Sequence, residues 1–488
     1  MDTSSPQPPP SSPLRASLPP IRVSITFKLF VIALLVGCLL LLSIPLFNII
    51  NEREERREDV VREISAKWGM DQAVIGPILA VPFERTVITK NNLGESISRT
   101  ETDYLHFLPE VLDINASVGT ETRHRGIFES VVYETDVRLE GRFASIDWSA
   151  TGIHEDLILA DKASLVIGIP DTRGLRDPIS INFAQEDLTP FPGLPAQKVV
   201  NSGIMATVDL TDSNETLPFS ITLRLAGSSS LAFSPIGQVT TAQVSSDWPN
   251  PSFDGAFLPQ AVISEQGFSA NWKVLHLNRP IPRSWVGDAP ASNEHDHRAH
   301  PQLHKHNPEH APGFAAPNNA LGDAAFGLRF HLPSDVYQKT ERMAKYAILF
   351  LAFAFAAFFF SEIVRKLRVH PIQYLFVGFS ILVFYLLLLS LSEHIGFDAA
   401  YGLSTAGIVI LVGGYAKTIL ESARLGATVT SVLIILYGYL YVTLQLESYA
   451  LLMGSLGLFG ALAAAMYLTR HIDWYAIRAH TANSSDDS

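Results

Sequence analysis

A carboxylate, an imidazole and a second carboxylate gathered at one end of an apolar helix could relay a proton or hold a cation. The stretch FYLLLLSLSEHIGF (384–397) closes on two such residues, Glu393 and His394, and Asp398 follows directly. Ionisable groups inside lipid are costly, so each is a functional suspect until its depth is known. The bland reading is a helix end at the membrane–water boundary, where the interface is one turn away. We take Glu393, His394 and Asp398 as the candidate functional residues and prefer the boundary role to a transport pathway.

The second unusual feature is NEHDHRAHPQLHKHNPEH (293–310), which carries His295, His297, His300, His304, His306 and His310. Imidazoles at this density can bind zinc, copper or nickel. Their spacing matches no metalloenzyme helix, so a plain polar insertion is preferred to a loose metal-binding or pH-responsive loop. No metal or cofactor is expected. Cys38 is the single cysteine, which excludes an intrachain disulfide and a multi-cysteine zinc site. GSLG (454–457) lacks the nucleophile-elbow pattern and sits in an apolar run. With no Ser/His/Asp or paired-carboxylate arrangement in view, no enzyme is expected, and an extracytoplasmic hydrolase has the least support.

The elements that carry these residues follow from composition. The 488 residues are 47% hydrophobic and 17% charged, but the apolar excess is confined to one early run and several after residue 343. Residues 1–26 begin Pro- and Ser-rich and are expected to form a disordered terminus. FKLFVIALLVGCLLLLSIPLFNII (27–50) is too long for a signal-peptide core and lacks a small-residue cleavage site, so it is expected to be an uncleaved anchor. Val60, Val61, Ile64 and Trp68 then recur at helical spacing, which predicts a short amphipathic connector.

Residues 51–343 have no run able to span a bilayer. In VVYETDVRLEGRF (131–143), apolar residues alternate with Glu134, Asp136, Arg138 and Glu140, the period of a half-buried strand. SLVIGIP (164–170) and FSITLRLAG (219–227) read the same way. A β-rich, sandwich-like domain is predicted, as one unit or two. It holds 25 basic and 39 acidic residues, a balance that disfavours nucleic acid as a partner.

Further spans are expected at 344–363, 371–392, 399–416, 427–446 and 449–469, each near the ~20 residues a bilayer core requires. The fold class is therefore a membrane protein of about six α-helical spans with the β-rich domain inserted between the first two. The short loops around Arg365, Lys366 and Arg368, around Lys417 and Arg424, and after Arg470 are basic, whereas SEHIGFD and LESY hold acids only. By the positive-inside rule both termini, including the 470–488 tail, face the cytoplasm and the β-rich domain lies outside.

Several stretches carry a resemblance, in this order: VIGPILAVPF (74–83), HFLPE (106–110), SSDWPNPSFDGAFLP (245–259) and GFSANW (267–272). YQKTERMAKYAILF (337–350), the block 370–401 and MYLTRHIDWY (466–475) complete it. Together they resemble the CreD family of bacterial inner-membrane proteins. That resemblance implies an inner-membrane location with a periplasmic domain, and a role in envelope integrity or envelope stress response. It carries no catalytic residues across, and the His-rich loop departs from its pattern. The expected partners are the lipid bilayer and envelope components or other membrane proteins. The alternative is a multi-pass transporter or channel for an unknown solute.

Overall fold

The computed structural model describes residues 25–90, 96–195, 199–211, 215–291, 314, 316–330, 339–340, 343, 347–365, 369–446 and 449–470. The His-rich loop, the Pro-rich start and the tail beyond Arg470 lie outside the described residues. The chain divides into two compact units, Met1–Arg53 with Val336–Ser488, and Glu54–Asp335.

The first unit is helical. Helix α1 covers Ile25–Trp68, α2 Ala347–Arg365, α3 Pro371–Ile395, α4 Phe397–Ile419, α5 Ala423–Gln445 and α6 Ala450–Thr469. Every stretch expected to span thus has a helix. Among the described residues, four helices are long and apolar enough to cross a membrane: α1, α3, α4 and α5. The Gly-rich stretch 399–416, the shortest in the sequence, is lengthened at both ends to 23 residues, ~35 Å at 1.5 Å per residue. The expected connector is not a separate element. It continues the anchor as one 44-residue helix that contains Pro45, and the division between the units falls inside it.

Signals at the helix ends are local. His370 caps α3 with Nδ1 accepting from the Ile372 N–H. Gln373 bonds back to the His370 N–H, and Pro371 takes the first helical position, where its missing donor costs nothing. Ser422 caps α5.

The second unit is two β-sheets over one apolar core. A nine-stranded sheet is organised on the strand Gln72–Lys90. This strand pairs antiparallel with Ser96–Phe107 and Ala163–Gly168 and parallel with Ser230–Phe233. Its register shifts between Ile75 and Ile78, so Pro77 sits where no ladder donor is needed. An eight-stranded sheet centres on Val111–Arg125, Phe128–Phe143 and Leu217–Ser228. In Phe128–Phe143, Val137, Leu139 and Phe143 are buried while Glu134, Asp136 and Arg138 are exposed, as the alternation predicts. Leu79 and Leu165 of one sheet and Leu139 and Ile221 of the other join a single cluster of buried side chains. The turn SDWPNPSF is pinned to it. Trp248 meets Phe330 edge-on, and Phe253 meets Phe268 and Trp272.

A guanidinium lies against this core. Arg279 is buried and donates to the carbonyls of Ile281 (2.9 Å), Ile236 (2.5 Å) and Gly237 (3.0 Å). Burial lowers its pKa to about 10. Arg279→Met should destabilise the β unit by about 2–4 kcal/mol, because three buried carbonyls lose their donor. Urea unfolding of the whole protein followed by tryptophan fluorescence reads this, and an unchanged midpoint would contradict it.

Candidate functional site

The trio singled out in the sequence is not one cluster. Glu393, in the last turn of α3, has a nearly buried side chain whose Oε2 lies 3.8 Å from Arg53 Nη1 on α1. His394 is exposed, and its Nδ1 lies 3.0 Å from the Ser390 carbonyl one turn back on its own helix. Asp398 opens α4 and its Oδ1 accepts from Tyr441 Oη and Gln445 Nε2 of α5, both at 3.0 Å. Glu393 thus ties α3 to α1 and Asp398 ties α4 to α5, whereas His394 stays on its own helix.

Among the described residues, the most enclosed carboxylate of the helical unit was not singled out in the sequence. Glu362, near the end of α2, is 3% exposed. Lys28 of α1 pairs with its Oε1, which also accepts from the Val369 N–H at 2.9 Å. Tyr374 of α3 donates to Oε2 at 3.1 Å. A buried carboxylate is tolerable only when paired and hydrogen-bonded, and here both oxygens are engaged. The sequence signal was a lone Glu closing an apolar run, read only as a span end.

The two ion pairs share α1. Lys28 and Arg53 are 25 residues apart, ~37 Å along a helix, which matches a hydrocarbon core with part of its headgroup layers. Glu362 lies near the C-terminal end of α2, and Glu393 near that of α3. Helix α1 therefore runs antiparallel to α2 and parallel to α3, clasped to the helical unit at both ends. Within the β unit the far end of α1 is held again. Trp68 Nε1 donates to the Tyr133 carbonyl at 3.1 Å, and Arg176 donates to the Trp68 carbonyl at 2.9 Å. The Arg123 guanidinium lies 4.6 Å from the indole centroid.

Between α4 and α5 is an open groove of about 520 Å³. Tyr401, Val409 and Tyr437 are its buried floor, and Asp398 and Tyr441 lie at one end. Among the described residues, no group of three His, Cys, Asp or Glu could hold a metal ion.

In the β unit a second perturbed side chain besides Arg279 is His106, 2% exposed and stacked on Trp285 at 5.1 Å between centroids. Burial pushes its pKa down to about 4, against smaller opposing effects of the Gly287 backbone and Asp103.

A family model described as "Inner membrane protein CreD" matches residues 24–475. One relative, Inner membrane protein CreD of Escherichia coli (strain K12), is 32% identical over 452 residues, covering 91% of this chain and 92% of its own. Among solved structures, the M1 zinc metallopeptidase from Deinococcus radiodurans is similar at 8% identity and TM-score 0.18. It covers 38% of this chain and 42% of its own. A substrate-bound mutant of that enzyme gives 9% identity with the same TM-score and coverage. Scores this low carry no argument about fold or activity.

Two expectations follow. Lys28→Met leaves Glu362 buried without its counter-ion, so it should destabilise the protein in detergent more than Lys28→Met with Glu362→Gln, by about 2 kcal/mol. Thermal unfolding of the two variants checks this. For His106, the unfolded chain takes up a proton near pH 6.5 but the folded chain only near 4. Stability should therefore be undiminished by this group above pH 6.5 and fall as the pH drops from there towards 4. The loss is on the order of 2 kcal/mol by pH 4.5. Urea midpoints at pH 7.5 and 4.5 should converge in His106→Phe relative to the parent protein.

Proposed function

The chain belongs to the CreD family of inner membrane proteins, and from that premise we propose that it supports the cell envelope without catalysing a reaction. In this reading six helices cross the membrane, both termini are cytoplasmic, and the β unit stands in the periplasm, where it engages another envelope protein. The basic inner loops and acidic outer loops support the sidedness.

The observation that carries the binding role is one edge of the eight-stranded sheet, which no further described strand pairs with. Its outermost strand, Gln260–Ser264, is exposed along its whole length. Val262 is 75% exposed, and Leu258, just before the strand, is 76% exposed. Isolated soluble domains blunt such edges with charge or proline. An apolar edge with free backbone donors and acceptors suits a partner that adds a strand.

Sidedness is tested with the chain's single cysteine replaced. Cys38→Ser with Asn271→Cys should react with an impermeant thiol reagent once the outer membrane is opened. Labelling only in inverted inner-membrane vesicles would overturn the reading. For binding, a photo-crosslinker at Val262 should give one discrete protein adduct in intact cells. Leu258→Glu should reduce that adduct several-fold. Transport of a solute by reconstituted vesicles, abolished by Glu393→Gln, would favour the transporter reading instead.

A further inference from the structure

The groove between α4 and α5 is too short for a helix and too apolar for a solute. From Asp398 to Ile410 its α4 wall rises ~18 Å, and from Tyr441 to Ile434 its α5 wall rises ~10 Å. A membrane helix needs the full ~30 Å hydrocarbon core, whereas one leaflet supplies ~15 Å. The groove thus runs from the interface to about mid-membrane, the depth of a single acyl chain.

Its lining grades with depth. At the interfacial end stands Asp398, its Oδ1 fixed by Tyr441 and Gln445. Below it the lining is Gly402, Ala406, Val409, Ile410, Ile434 and Gly438, with Thr405 as a single small hydroxyl among them and the Tyr401 hydroxyl turned away to donate to the Tyr437 carbonyl at 2.5 Å. Nothing lies within 4 Å of where a Cβ on Gly402 or Gly438 would sit, so the space over both glycines is open. Two cations of this end are engaged elsewhere. Arg53 faces Glu393, and the Lys339 ammonium lies 5.4 Å from the Phe397 ring centroid. The charge offered at the groove mouth is that of Asp398.

We propose that this groove is a binding site for one phospholipid bearing a primary-ammonium headgroup, with the ammonium on Asp398 and an acyl chain along α4 and α5. A carboxylate accepts hydrogen bonds from a primary ammonium, which a trimethylammonium cannot give, and it repels a head that carries only a phosphate charge. The proposal rests on the reading of these helices as spans.

The full chain, purified in detergent with an equimolar mixture of phosphatidylethanolamine, phosphatidylcholine and phosphatidylglycerol, is examined by native mass spectrometry. One retained phosphatidylethanolamine, at least threefold over either other lipid, is expected. Asp398→Asn should keep a bound lipid but lose the preference. Gly402→Leu with Gly438→Leu should fill the groove and lose the lipid, with α-helical circular dichroism and elution unchanged. A preference that survives Asp398→Asn, retention by the filled-groove variant, or a dimer that forms in place of lipid binding would each overturn it. Failure of the span reading is distinguishable, because the chain would then not enter lipid nanodiscs at all.

Discussion

Three partners converge on Glu362 in a place with almost no water. The ammonium of Lys28 supplies the opposite charge, the Val369 N–H binds the same oxygen, and Tyr374 satisfies the other. Those three groups come from α1, from the segment after α2 and from α3. A carboxylate so placed dictates how these helices meet, since displacing any one leaves a buried group unpaired. Coulomb attraction in a medium of low dielectric is strong and weakly screened, and the hydrogen bonds beside it are directional, so together they fix position rather than merely adding stability.

Helix α1 is the element on which both units depend. Its apolar stretch is exposed along much of its length, with Phe30, Leu34 and Leu41 all outward, as suits a lipid-facing anchor. Beyond residue 50 the sequence turns to NEREERRED, and the helix carries on into polar surroundings with i,i+4 support such as Lys67 with Glu63. It ends only where Trp68 meets the eight-stranded sheet and Gly69 takes a positive φ, which places the next residue for a new direction of chain. The N–H of Met70 is then taken by Asp171, and Gln72 donates to the carbonyls of Asp171 and Ala226. Side chains distant in sequence thereby tie the first β-strand to the helix that precedes it.

The polar groups of the helical unit sort by depth. Glu362 is enclosed and paired. Glu393 lies at the other end of the clasped helix, nearly buried beside Arg53, while His394 next to it is exposed. Asp398 sits in the next helix with one oxygen doubly held. A chain of proton-exchanging groups across a membrane needs polar side chains in sequence along one path. Here the described carboxylates sit at the two ends of the helices, which suits anchoring and interfacial recognition better than passage.

Hydropathy and period alone placed the six long helices and the strand Phe128–Phe143, because burial on one face leaves its mark at 3.6 or 2 residues whatever the partner is. The fusion of anchor and connector was less legible, because the apolar run ends at residue 50 and the amphipathic stretch after it looked like a separate short helix, yet one helix runs through both and through Pro45. What no local pattern could carry was pairing across distance. Arg53 looked like one of a run of charges, Lys28 like a flank of the anchor, Glu362 like a span end, and His106 like part of a motif. Each acquires its role from a residue between about 180 and 340 positions away, and only the folded chain, by removing water from between them, decides which charges must meet.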